Sequence, residues 1–491
     1  MCAKSKRLMD AAFIRRLEGI VGVAHTLCSP GDLSNYQYDG SVDQALPEVV
    51  VLPGSAHEVA QVVAACNDRG YPYLARGAGT GLSGGAVPEA GGVVISTGRL
   101  HRILEIDVAN RLAVVEPGVV NADISAAVKQ YGLCFIPDPS SQAACTIGGN
   151  IAENSGGLHC LAYGVTTNHT LGVEIVTPEG ELIWLGGKTV DTPGYDVLGL
   201  FVGSEGTLGI ATKVVVKLTP IQEAARTMLA VFDSVEDGSK AVSAIIAAGI
   251  IPGALEMMDR VSTQAIEAFA HAGFPTDAEA ILIVEVDGLR AAVDEVAADV
   301  RDICRRNHAR EVRLAQSQDE RDRIWKGRKG AFGAMGRLSR NFYVQDGVIP
   351  RSLLPEMLRE VAAISEQSGL RICNVFHAGD GNLHPLILFD EKKPGDIEKA
   401  VVAGEAILRA CIERGGSVSG EHGVGTEKRD CMAVQFSPSD LDLMGRVKSA
   451  FGNRGLCNPN KIFPTSRRCG ESSRRLQRLA PETAAAAGQA F

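Results

Sequence analysis

Between residues 45 and 222 the apolar residues come in short runs that end on glycine or proline. PEVVVLPG, YPYLARGAGTG, GVVISTGRL, LAVVEPG, LGVEIVTPEG, ELIWLG and IATKVVVKLTP each read as a strand entering a turn. Between the first two, AHEVAQVVAACNDRG carries its apolar positions at helical spacing. This pattern describes an α/β or α+β binding domain that closes near Pro220.

A different rhythm follows. TMLAVFDSVEDGSKAVSAIIAAG leads to GALEMM, and AILIVEVDGLRAAVDEVAADVRDICRRNHA leads to REVRLA. Each copy is strand, acidic turn, amphipathic helix, strand, which predicts a split βαβ antiparallel sheet with helices on one face. Val293, Val296, Val300 and Ile303 recur at helical spacing and belong to core packing. The first residues, MCAKSKRLMDAAFIRRLEGIVG, read as an amphipathic helix without the unbroken apolar centre of a secretory signal. The tail from about Thr465 is poor in large apolar residues and ends in an alanine run, which predicts disorder or a loosely attached helix. The resulting division is a helical lead-in (1–44), a first domain (45–222), a cap domain (223–420), a C-terminal segment completing the site (421–465) and a disordered tail (466–491).

Composition narrows the function classes. The chain has 491 residues, 45% hydrophobic and 22% charged, with a net charge of -9. No basic stripe is present, so nucleic acid is not an expected partner. No apolar run reaches the eighteen or so residues of a membrane span. A cytoplasmic protein is expected, with peripheral attachment to the inner membrane through partner subunits as the alternative. None of the twelve cysteines makes a CxxC pair, which argues against thiolate-held zinc or an iron-sulfur cluster.

Glycine then becomes informative. Gly79 to Gly84 fits G-x-G-x-x-G, but GGAVPEAGG follows where a dinucleotide-binding fold needs a helix. What remains is a run of exposed backbone N–H groups suited to phosphate. Two further glycine loops, PDPSSQAACTIGGNIAENSGGLHCLAYG and FVGSEGTLGI, point to a large ligand with phosphates and an aromatic ring.

RGAGTGL, PDPSSQ, TIGGNIAENSGG and GSEGTLGI resemble the FAD-binding domain of the vanillyl-alcohol oxidase (PCMH-type) flavoproteins. More closely, residues 40–465 resemble the family of the glycolate oxidase D subunit and the FAD-linked D-lactate and D-2-hydroxyglutarate dehydrogenases. The resemblance implies an α+β chain with a two-subdomain FAD-binding domain, a ferredoxin-like cap and a C-terminal segment that returns to the flavin. It also implies that Arg76, Gly77, Ala78, Gly79, Thr80, Gly81, Leu82 and Ser83 cradle the pyrophosphate. Pro137, Asp138, Thr146, Gly148, Gly149, Asn154, Gly156, Gly157, Glu205, Gly206 and Ile210 would line the rest of the cleft, with Asn458 and Lys461 returning beside it. Some relatives attach flavin through a histidine in the first loop. Thr80 stands there in this chain, so non-covalent FAD is expected.

NVFHAGDGNLHPLILF alternates apolar residues about Asp380-Gly381, a strong hairpin signal. If those two are the central turn residues, His377 faces His384 with Cβ atoms about 4.5–5.5 Å apart. Two imidazoles packed at a sheet edge are one outcome, and a shared metal ion is the other. GGSVSGEHGVGTEKR adds Glu421 and His422 in a glycine-bracketed loop, and His377, His384 and Glu421 together form a two-histidine, one-carboxylate set with open positions. The resemblance implies the same three ligands with His422 as base, for zinc first and manganese or iron otherwise.

A 2-hydroxy acid also needs a cation for its carboxylate. RIWKGRKGAFGAMG offers Lys326, Arg328 and Lys329, and Arg328 is the one the resemblance favours. The expected activity is oxidation of glycolate or D-lactate to the 2-oxo acid. A flavin-binding subunit without its own turnover, a dehydrogenase for a longer acid such as D-2-hydroxyglutarate and a metal-dependent hydrolase are the competing readings. Leu386, two residues beyond His384, offers no hydrogen bond to a second carboxylate and favours short acids. The resemblance further implies companion flavin and iron-sulfur subunits as electron acceptors.

Overall fold

A computed structural model of the chain describes residues 9–190, 193–452 and 454–464. The helix expected at the start forms over Ala11–Val21, where the Asp10 carboxylate caps it by accepting the Phe13 N–H. Phe13, Leu17 and Val21 face inward onto Val59, Val62 and Val63 of helix Ala56–Arg69. That second helix starts at the Ser55 cap and ends on left-handed Gly70. It covers a four-stranded sheet in the order Thr26–Leu27, Val49–Val51, Val93–Ser96, Tyr73–Arg76. The last three strands are parallel. Val49–Val51 and Val93–Ser96 are buried along their whole length, which is why those runs do not alternate.

Leu112–Val115, Ile210–Lys217, Thr170–Val176 and Leu182–Gly186 join Ile103–Asp107 in a five-stranded antiparallel sheet. Ile103–Asp107 is an edge strand with only partial burial, so it leaves little apolar pattern in the sequence.

In the cap, Ala224–Phe232, Ala254–Asp259, Ala280–Gly288 and Glu311–Leu314 are the first to fourth strands. They stand in the spatial order fourth, first, third, second, with every neighbour antiparallel. This is the ferredoxin-like arrangement. Helices were expected on one face, but they cover both. Val235–Ala247 and Arg290–Arg306 lay Val242, Ile245, Val293 and Val300 against Met228, Ala230 and Phe232. On the other side, Ile266, Ile324 and Met335 pack on Leu229, Val231, Ile281 and Ile283. The cause is visible in AILIVEV, which is buried at every residue. Each large side chain so covered is worth about 1.5–3 kcal/mol, and leaving one face wet would forfeit half of them.

The cap sheet continues through Ile372–His377, Asn382–Leu383 and Pro385–Phe389. The chain then returns to the first domain. Glu205 accepts the N–H groups of Val424 and Gly425, each at 2.7 Å. Asn458 donates to the carbonyls of Glu205 and Gly85, and the Lys461 ammonium donates to the Val87 carbonyl.

The ten described cysteines are unpaired. No described helix is long and apolar enough to cross a membrane. The tail expected to be disordered, 466–491, lies outside the described residues.

Candidate active site

A cavity of about 530 Å³ opens between the glycine loops and the cap, within the size range of cofactor sites. Arg76, Gly77, Ala78, Gly79, Thr80, Gly81 and Leu82 line one end of it. Thr146, Gly148, Gly149, Gly156, Glu205, Gly206, Ile210 and Asn458 line the rest of that wall. Glycine is required at the loop. A Cβ on Gly77 would strike the Thr146 hydroxyl, and one on Gly79, whose φ is +72°, would strike the Arg76 guanidinium. Arg76 itself is spent on the loop, donating to the Tyr38 carbonyl at 2.7 Å and lying over the Tyr36 ring. Thr146 Oγ1 is buried without a hydrogen-bond partner, an orphan that a polar cofactor relieves. The cradle fits FAD.

Five residues expected in this wall lie outside it. Ser83 is wholly buried, and its carbonyl accepts the N–H groups of Thr426 and Glu427. The Pro137 carbonyl accepts from Asn121. Asp138 pairs with His159 at 3.0 Å and Lys329 at 3.4 Å. Asn154 is left-handed and accepts the Thr167 N–H. Gly157 packs on the Asp138 backbone. Sequence reasoning missed Asn150, Glu153, Ser155 and the cap residues Phe332, Phe342 and Val344, and held Lys329 only as an alternative to Arg328; all are in the lining except Arg328. Lys329 was visible in the basic run around Arg328. The two phenylalanines carry no local signal, because only the tertiary fold turns them inward.

The histidine hairpin has a different register from the one expected. His377 faces Asn382, and Asn374 faces Pro385. The loop is therefore four residues, Ala378 to Gly381, rather than two. A slip of one residue would have sent His384 to the opposite face, whereas a slip of two keeps it on the same one. His384 becomes the diagonal neighbour of His377, and their rings meet edge to face at 5.0 Å. Ligand atoms of His377, His384 and Glu421 all lie within 4.8 Å of one another. His377 Nε2 and His384 Nε2 stand 3.3 and 3.4 Å from Glu421 Oε1. His384 Nε2 is buried and makes no hydrogen bond. A buried imidazole nitrogen beside carboxylate oxygens, with no proton donor to satisfy it, suits a divalent cation.

Asp346, His384 and His422 form a second close set, but Asp346 already accepts from several donors through one oxygen. Its Oδ2 accepts from Ser419 Oγ at 2.6 Å, from the Gly420 and His422 N–H groups at 3.0 and 2.9 Å, and from the Lys428 ammonium at 3.1 Å. Those bonds fix the loop that presents Glu421 and His422. A carboxylate so saturated and neutralised is a poor metal ligand.

Behind His377, Glu256 stands opposite it in the sheet and accepts from Nδ1 at 2.7 Å. This is the outer partner that metal-ligating histidines ordinarily have.

Charges around the site follow from this packing. Burial opposes ionisation of Glu421, yet His377, His384 and His422 bring its carboxyl down to about 2. Burial also disfavours a charged His422, and with His384 and Lys428 nearby its imidazole falls to about 4. It is neutral at pH 7 and able to accept a proton. His422 Nδ1 has no hydrogen-bond partner, and both Glu421 and His422 line the cavity.

Arg328 does not. Its guanidinium is 2% exposed and grips Glu256 through Nε at 2.8 Å and Nη2 at 2.5 Å. It therefore supports the His377 partner rather than facing the cavity. Leu386 likewise sits in the apolar core between sheet and helices. The cavity surfaces that would meet a longer acid are Phe332, Phe342 and Val344.

Comparison with known proteins agrees with the FAD cradle. Residues 47–186 match the family described as FAD binding domain, and residues 221–462 match FAD linked oxidases, C-terminal domain. Glycolate oxidase subunit GlcD of Escherichia coli K12 is 51% identical over 89% of this chain and 88% of its own length. D-lactate dehydrogenase of Archaeoglobus fulgidus is 33% identical over 87% of this chain and 95% of its own. The fold of p-cresol methylhydroxylase superposes with a TM-score of 0.79 at 17% identity, covering 92% of this chain and 96% of that one. The chain belongs to the FAD-linked oxidase family that includes glycolate oxidase subunit GlcD.

Proposed function

We propose that the chain oxidises a short D-2-hydroxy acid, glycolate or D-lactate, to the corresponding 2-oxo acid. Its FAD is held non-covalently, since Thr80 occupies the loop position from which a histidine could bond it. A divalent cation, zinc first and manganese or iron otherwise, is held by His377, His384 and Glu421.

The observation that carries this reading is the convergence of those three side chains within 4.8 Å, beside His422 and at the edge of the glycine-lined cavity. The alcohol of a 2-hydroxy acid holds its proton too tightly to yield it unaided at neutral pH. A divalent cation lowers such a pKa by many units, as it lowers water from 15.7 to about 7. The neutral imidazole of His422 accepts the hydroxyl proton. FAD supplies the two-electron acceptor for the hydrogen leaving C2 as hydride. Glu421 and the two histidines would hold the cation against which the alcohol oxygen is placed, and Phe332, Phe342 and Val344 keep that end of the cavity apolar. Those three apolar side chains offer no hydrogen bond to a second carboxylate, which suits short acids.

Electrons then have to leave the flavin. Relatives named as subunits of glycolate oxidase support companion chains, and a flavin chain and an iron-sulfur chain are the acceptors of this reading. Cytoplasmic residence, peripheral to the inner membrane through those chains, completes the reading.

Anaerobic mixing of the yellow protein with glycolate or D-lactate is the test. Bleaching of the flavin absorbance by either acid supports the reading, and its absence with metal present rejects it.

A further inference from the structure

The cavity lining holds a carboxyl that the chemistry proposed above does not use. Glu153 is the last residue of helix Ile147–Glu153 and borders the glycine-lined cavity. Its Oε2 is buried and makes no hydrogen bond. A Cβ on Gly85 would strike its Oε1, and one on Gly423 would strike its Oε2. Two glycines from separate segments thus make room for this one carboxyl. Gly423 follows His422 directly, which sets Glu153 at the same end of the cavity as the proposed base.

We propose that Glu153 donates a hydrogen bond to the ring of the bound FAD. The inference needs FAD in the cavity but not the identity of the acid oxidised there.

A donor must carry a proton, and the neighbours of Glu153 leave one on it. The Cβ that would strike Glu153 Oε2 would also crowd Glu205 Oε1, so the two carboxyls stand around one point. Like charges that close in a dry site do not both ionise. Glu205 Oε1 accepts the Val424 N–H and its Oε2 the Gly425 N–H, each at 2.7 Å, which places the charge on Glu205. The cations facing the pair are Lys428 and Lys461. Lys428 is bound to Asp346 at 3.1 Å, and Lys461 faces Glu89, Asp39, Asp43 and Glu205 together. Neither is a partner for Glu153 alone. Its place at the carbonyl end of a helix also disfavours a negative charge. Burial lifts both carboxyls. The two N–H groups counter it at Glu205, whereas Glu205 and Asp39 add to it at Glu153, whose carboxyl rises well above the usual range.

The polar edge of an isoalloxazine offers carbonyl oxygens and ring nitrogens as acceptors. Hydride arrival adds one negative charge to the ring, so a donor at that edge favours the reduced state. An ionised carboxylate in the same place would oppose it.

The test equilibrates the flavin-loaded protein with a redox dye of known potential, without substrate, and reads the ratio of reduced to oxidised flavin. Glu153→Leu removes the donor, and at a fixed dye ratio the flavin ratio should fall about five- to tenfold, the difference between a hydrogen bond to a charged partner and one to a neutral partner. Glu153→Gln keeps an uncharged donor of the same shape, and its ratio should stay within about threefold of the wild type. A ratio raised beyond that in Glu153→Gln means that a negative charge was removed, and overturns the inference. An unchanged ratio in Glu153→Leu means that the proton stays with Glu205, and overturns it too. Should Glu153→Leu lose its FAD, Glu153→Gln decides alone. No substrate enters these readings, so their failure leaves the proposed function standing.

Discussion

Arg328 Nη2 lies 2.5 Å from Glu256 Oε2, and this pair, 2% and 1% exposed, stands directly behind His377. Its charge state therefore reaches the proposed cation through a single imidazole. Glu256→Gln keeps a hydrogen-bond acceptor for His377 but removes the charge that orients the ring and makes it more basic. Metal affinity should fall about 10–100-fold, as read by chelator competition, while the flavin stays bound. Arg328→Met should instead destabilise the fold by about 3–5 kcal/mol, because it strands Glu256, and a denaturant titration measures this.

Asp346 joins the Glu421–His422 loop to the cap. Asp346→Asn leaves Lys428, 1% exposed, without its countercharge. A loss of about 3–5 kcal/mol is expected. The double variant with Lys428→Met should be less destabilised than the sum of the two single changes. Additivity would show that the pair is not coupled.

His159 gives a pH signature away from the metal. Burial alone would push its imidazole down, but Asp138 and Glu285 outweigh that and raise it to about 10. A histidine raised on folding stabilises fully below its unfolded value, about 6.5, and that contribution is lost as pH rises through about 10. The stability difference between wild type and His159→Gln should be constant below pH 6 and shrink steadily from about 6.5 to 10. A difference independent of pH over that window contradicts the pairing.

Much of this was readable in the chain because β-branched runs bounded by Gly or Pro admit few readings. Val49–Val51 and Val93–Ser96 fall inside the expected stretches, and Thr170–Val176 starts one residue before its own. Helix Ile147–Glu153 was not foreseen, since Gly148 and Gly149 inside it mask any helical signal. The His377–His384 contact was foreseen through the wrong register and survived because side-chain direction repeats every two residues. The assignment of Arg328 to the cavity failed for a reason no local pattern contains. Its partner Glu256 lies 72 positions away in sequence and meets it only through the sheet. Phe332 and Phe342 reach the cavity through the same long-range packing.

His384→Ala and Glu421→Gln should separate the two cofactors. Each removes one proposed metal ligand; His384 is absent from the cavity lining, and Glu421 meets the glycine loops at Gly156. Both variants should purify yellow with a normal flavin content and little metal, and neither should bleach with substrate beyond about a hundredth of the wild-type rate. Loss of flavin together with metal would mean that the two sites do not fold independently.

The most direct measurement is anaerobic stopped-flow bleaching by glycolate or D-lactate of one preparation in three states: as purified, stripped by chelator, and resupplied with zinc or manganese, with metal and flavin content determined for each. The account predicts that the stripped protein keeps its flavin but loses bleaching, and that an added divalent cation restores it. Full-rate bleaching by a stripped protein holding less than about one metal ion per ten flavins would contradict it.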